Sequence, residues 1–195
     1  MKVMRPQPFN AQTSIWVGWV EEDKVGRRVI ITTKDGQVTR VSPTDFDFDF
    51  ELTPNQRSRF ELLDGEAEFH GPPRFRHGAA FDCILADDVL YVHHLMALEA
   101  LELGIDCDPM CLNLHLLNQV MPDLDVHLDV ARMPITLIAT HAGVIDPVKI
   151  ELLCRVRGWR GVIMKNNYGC WNLNPPPSSI DGKSGPAWTR WRMPQ

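Results

Sequence analysis

The dipeptide Asp35-Gly36, set between two runs rich in β-branched residues, constrains this chain more than any other feature. Arg27–Thr33 (RRVIITT) precedes it and Gln37–Val41 follows it. A two-residue connection of this kind needs positive φ at both central positions, which Asp and Gly tolerate, so the pair predicts a type I′ hairpin. A lone hairpin is marginal in water, and further strands must complete a sheet. Ser14–Val20 (SIWVGWV) is one candidate. Asp45–Phe50 (DFDFDF) is another, with Phe46, Phe48 and Phe50 on one face and Asp45, Asp47 and Asp49 on the other. Thr53-Pro54-Asn55-Gln56 has the N-cap, N1 and N3 residues of a helix start. We expect one helical turn there, because Phe60–Leu63, Asp64-Gly65 and Glu66–Phe69 read as a second hairpin. Residues 1–83 thus predict an antiparallel sheet or small curled barrel.

The pattern changes beyond Phe81. Ala86 to Leu103 contains no Gly or Pro and is dominated by helix-favouring Leu, Ala, Met and Glu, so a helix ending at Gly104 is expected. Asp108-Pro109 and Asp146-Pro147 each pair an N-cap with Pro at N1. They predict helices to about Val120 and to about Arg157, the second closed by Gly158. Pro134–His141 fits helix and strand equally. Gly161–Leu173 reads as a strand or a hairpin. The fold class expected is α+β: the sheet or barrel of 1–83 packed on a helical region, 84–173, with one or two further strands. Residues 174–195 form an extended Pro/Gly-rich tail ending in a Trp/Arg anchor.

With 195 residues, the chain is long enough to bury roughly 70% of its unfolded surface without staples. Its longest uncharged stretches fall short of the roughly 18–20 apolar residues of a spanning helix, which argues against membrane insertion. Five cysteines without repeated spacing, and no apolar segment behind Lys2 and Arg5, point to reduced thiols and the cytoplasm.

Charge is distributed unevenly. Residues 84–146 carry Arg132 against ten acids, whereas residues 147–195 carry eight basic and two acidic residues. A basic, aromatic C-terminal segment is therefore the candidate contact surface: Lys149, Arg155, Arg157, Trp159, Arg160, Lys165, Trp188, Arg190, Trp191 and Arg192. Trp188 and Trp191 are three apart, as on one helical face, with arginines interleaved. Such residues suit stacking on bases and pairing with phosphates, and they equally suit protein contacts. The expected function is non-enzymatic binding or regulation, with nucleic acid the first partner and another protein the second. Docking of the tail on the protein's own body, or on another copy in a homo-oligomer, are the other readings.

Other constellations are weaker. Cys107, Cys111 and His115, spaced i, i+4 and i+8, offer soft ligands for zinc and a metal-dependent alternative. The Asp108-Pro109 cap places Cys107 ahead of the first helical residue, however, and packed thiols are the preferred reading. The three aspartates from Asp45 to Asp49 fit a solvated face better than a cation site. His93-His94 stand about 100° apart on a helix and His141 ends an element, but neither comes with a GxSxG, HExxH or phosphate-loop signature. Ile138 to Leu153 loosely resembles a helix-turn-helix, with a helical hairpin as the simpler reading.

Overall fold

The computed structural model describes residues 6–10, 13, 15, 18–44, 47–71, 73–106, 126–127, 133–166, 171–172 and 188–194. It is α+β, as the sequence predicts. Among the described residues the two largest sheets are open and five-stranded rather than a barrel. Chain contacts divide the molecule into two units. Among described residues, the first unit takes 24–106 and 126–127, and the second takes 6–23 and 133–194.

In the second unit, β1 is Gln7–Pro8 and β2 is Gly18–Glu22. In the first, β3 (Arg27–Lys34) and β4 (Gln37–Pro43) are the predicted hairpin, turning through Asp35 at φ 53° and Gly36 at φ 70°. Residues 47–50 are not a strand. Residues 45 and 46 lie outside the described residues, while Phe48 and Phe50 stack at 5.8 Å, half-buried against the core, with Asp47 and Asp49 exposed.

Helix α1 (Pro54–His70) opens on the predicted capping box between Thr53 and Gln56 but continues through the expected second hairpin. Phe60, Leu63 and Ala67 recur at helical spacing and are buried against β3 and its neighbours, with Phe60 meeting Phe81 edge-on at 5.1 Å. Asp64 serves as an acceptor rather than a turn residue. It takes hydrogen bonds from the Thr33 hydroxyl at 2.6 Å and the Gly36 N–H at 2.9 Å, tying the helix to the hairpin turn.

The predicted helix over Ala86–Leu103 is largely strand. A 3-10 turn (Pro73–His77) leads into β5 (Ala79–Ala86), which pairs with β6 (Val89–Ala97) across Asp87-Asp88, both at positive φ. A bulge explains the misleading pattern. Cys83 pairs with Val92 and Asp82 with His94, so His93 is the extra residue. Core positions are therefore Leu90 and Val92 before the bulge and Leu95 and Ala97 after it. The three-residue step from 92 to 95 imitates a helical period. A real helix, α2 (Leu98–Leu103), follows and does end at Gly104, at φ 74°. β7 (Ile105–Asp106) comes next, and β8 (Val126–His127) pairs in parallel with β6, giving the sheet order β4-β3-β5-β6-β8.

In the second unit, Pro134–His141 is neither one helix nor one strand. β9 is Met133–Pro134, a 3-10 turn covers Ile135–Leu137, and Ala139 bridges to Ile145. The helix-turn-helix likeness therefore lacks its first helix. α3 (Pro147–Arg157) matches its prediction, with Asp146 accepting from the Val148 N–H at 2.9 Å and Gly158 closing it at φ 70°. β10 (Gly161–Asn166), β11 (Trp171–Asn172) and β12 (Trp188–Arg192) complete the chain. The second sheet runs β1-β12-β10-β2-β9, so the described end of the tail is an interior strand. α3 packs Ile150 and Cys154 against Val20, Val162, Met164 and Trp191 on one sheet face. No helix among the described residues is long and apolar enough to cross a membrane.

Candidate functional site on the second sheet

Strand alternation sorts the predicted contact residues onto different surfaces. β12 is a strand, so Trp188 and Trp191, three apart, lie on opposite faces. Trp191 joins the apolar core under α3. Register pairs Lys165 with Trp188, Ile163 with Arg190 and Gly161 with Arg192, which puts Lys165, Trp188, Arg190 and Arg192 together on the other face. On the far side of β10, the same face takes Trp19 opposite Lys165 and Glu21 opposite Ile163.

This second face is charged yet largely withdrawn from water. The Lys165 ammonium donates to Glu21 Oε1 at 2.8 Å, and these side chains are 1% and 0% exposed. The same ammonium lies 5.1 Å from the centroid of the Trp188 ring, a cation–π contact. At the open end of the face, Asp23 takes two guanidinium groups, Arg190 at 3.2 Å and Arg192 at 2.5 Å. Those arginines stay 38% and 55% exposed. Lys165 and Glu21 pair with each other, and at the accessible end two guanidinium groups share the one Asp23 carboxylate. The indole N–H of Trp19 is buried without a hydrogen-bond acceptor among the described residues. A buried orphan donor costs about 1–3 kcal/mol, so an acceptor brought by a ligand would relieve it.

The other predicted residues lie elsewhere. Trp159 is buried in the core cluster under α3. Lys149, Arg155 and Arg157 are on α3, across the sheet from Arg190 and Arg192. The Lys149 ammonium donates to the Ala139 carbonyl at 2.9 Å, Arg155 pairs with Glu151 at 2.5 Å, and Arg157 reaches Met133 Sδ at 3.7 Å. Arg160 is exposed beside the end of β12, its carbonyl accepting from the Met193 N–H. Lys165 and Trp188 are buried, so neither presents itself to solvent as the sequence reading expected. Sequence reasoning missed Trp19, Glu21 and Asp23. Their alternate spacing in WVEED was the available signal, since a strand there turns all three the same way.

Cys107, Cys111 and His115 lie outside the described residues, among which no His/Cys/Asp/Glu group is arranged to hold a metal. In the first unit, His94 is buried directly opposite Asp82, whose carboxylate takes the Arg28 guanidinium in two contacts, the Nε one at 2.7 Å. His141 is exposed in a turn closed by Gly143 N–H to the Thr140 carbonyl.

No protein-family model matches the chain, and no curated protein matches it. Two solved structures are similar to it in fold. Pmar-Lig_Pre. is 14% identical with a TM-score of 0.59, over 92% of this chain and 43% of that one. Pmar-Lig_PreS3 is 14% identical with a TM-score of 0.53, over 93% of this chain and 43% of that one. The chain therefore spans less than half the length of either, and at this identity the likeness establishes the fold alone.

Proposed function

We propose that this chain is a non-enzymatic binding protein of the reducing cytoplasm that holds nucleic acid at the polar face of its second sheet. One observation carries the reading. Lys165, Trp188, Arg190 and Arg192 share a face opposite the apolar core, and its accessible end keeps two arginines on one aspartate. A phosphate arriving there exchanges with Asp23 for guanidinium hydrogen bonds, which are charge-assisted and directional. Trp188 lies beneath the Lys165 ammonium, so its part is to shape the face rather than to stack on bases. Contacts of this kind are with the backbone, and they predict affinity without strong sequence preference. The free thiols Cys83 and Cys154 are in keeping with a reducing compartment.

The test is a fluorescence-anisotropy titration of the whole chain with short labelled single- and double-stranded oligonucleotides at several salt concentrations. Each phosphate contact contributes a slope of about −0.7 to −0.9 to log K against log salt. Replacing both Arg190 and Arg192 with Ala should weaken binding and reduce that slope by about 1.4–1.8. No binding at low salt, or a slope indifferent to those arginines, refutes the reading.

A further inference from the structure

On its side away from the core, α3 carries an apolar stripe. Val148, Leu152 and Val156, at i, i+4 and i+8, are 73%, 62% and 75% exposed, while Ile150 and Cys154 fill the buried side. A surface helix ordinarily turns polar residues outward, and this one centres three branched apolar side chains there. Lys149 and Arg155 flank the stripe on its two sides and Arg157 stands at the helix's C-terminal end, all three exposed, against the one acid Glu151. The stripe is on the opposite side of the sheet from Arg190 and Arg192, so it is not part of the proposed nucleic-acid face.

We propose that the outward face of α3 docks an amphipathic helix of a partner protein whose apolar stripe is flanked by carboxylates. Spacing argues for a helix, since an i, i+4, i+8 ridge fits the groove between the ridges of another helix. Charge argues for acidic flanks, because three cations against the one acid Glu151, already paired with Arg155, leave the helix net positive, and an acidic partner complements that charge. A second copy of this chain is a poor occupant. Antiparallel pairing about Leu152 sets Arg155 against the other copy's Lys149, and parallel pairing sets Arg155 against its own equivalent. Nucleic acid is poor as well, for the centre of the surface has no donor to offer a phosphate.

The experiment titrates the full chain against two labelled amphipathic helical peptides with the same leucine stripe, one flanked by Glu and the other by Lys, and against a labelled DNA duplex. The Glu-flanked peptide should bind at least about tenfold more tightly than the Lys-flanked one and weaken as salt rises. Leu152→Asp, at a solvent-facing position, should abolish that binding while far-UV circular dichroism stays unchanged. Arg155→Glu with Arg157→Glu should reverse the preference between the peptides. The inference is overturned if neither peptide binds or if both bind equally. It is also overturned if Leu152→Asp removes DNA binding instead, or if the chain sediments as a dimer that Leu152→Asp dissociates.

Discussion

Replacing Lys165 with Met tests the electrostatics of the polar sheet face directly. Lys165 and Glu21 are 2.8 Å apart, and at 1% and 0% side-chain exposure neither can exchange its partner for water. Taking away one member of such a pair deprives a buried charge of its counter-ion, at a cost of up to about 3–5 kcal/mol. Glu21→Gln with Lys165→Met removes both charges at once, and a fully neutralised pair is often no less stable than the ionic one. The double variant should therefore recover most of what Lys165→Met loses, giving a coupling energy of about 2–4 kcal/mol in the cycle. Urea unfolding followed by tryptophan fluorescence is the assay, with circular dichroism confirming that the transitions coincide. With a slope of about 2–3 kcal/mol per molar, the single variant's midpoint falls by roughly 1–2.5 M. Additive losses in the double variant would refute the argument, because they would mean the two charges are solvated separately.

Three further outcomes are expected. Gly65 is inside α1 with open space where a Cβ would stand, nothing lying within 4 Å of it, so Gly65→Ala should stabilise by about 0.5–1 kcal/mol in the same urea assay. Asp64→Ala removes the acceptor for Thr33 and Gly36 and should cost about 2–4 kcal/mol; an equal loss for Asp64→Asn and Asp64→Ala would show that the amide oxygen cannot replace the carboxylate. Burial raises the Cys154 thiol from 9.0 to about 11 and pushes Cys83 well up, aided by Asp82. Between pH 9 and 11 the unfolded chain gives up thiol protons that the folded chain keeps, so stability holds below pH 9 and falls as pH rises; Cys154→Ala should flatten that fall, and both thiols should resist a thiol reagent at pH 8 until urea unfolds the chain.

Features whose cause lies within a few residues were legible in the sequence. Asp35-Gly36 sets its turn by backbone sterics, the Thr53/Gln56 box caps its own helix, and Gly104 and Gly158 end theirs in the left-handed region. Features decided by distant packing were not. Asp64-Gly65 has the composition of a hairpin turn, but the Phe60, Leu63 and Ala67 face meets the sheet better as a helix, and the Asp64 carboxylate is engaged by Thr33. β6 was hidden by one bulged histidine that shifts the core positions from even to odd numbers. The placement of the candidate contact residues was not legible: strand geometry distributes them between two faces and buries Lys165 and Trp188, which a helical reading of the Trp188/Trp191 spacing could not foresee.

The interleaving of the two units has a consequence for the order in which the molecule can be assembled during synthesis. The first unit has its described strands between residues 24 and 127 and can close soon after β8 leaves the ribosome. β2, by contrast, sits between β10 and β9, and Glu21 is separated from Lys165 by 144 positions. At roughly 5–20 residues per second, its central partner emerges about 7–30 s later. Through that interval β2 offers unpaired edges, with Val20 exposed on the side that will be core. Glu21 and Asp23 are then also without their cations, and two adjacent carboxylates on a bare strand discourage pairing with another chain. The acids that later hold Lys165, Arg190 and Arg192 in place serve first as gatekeepers of a strand waiting for its partners.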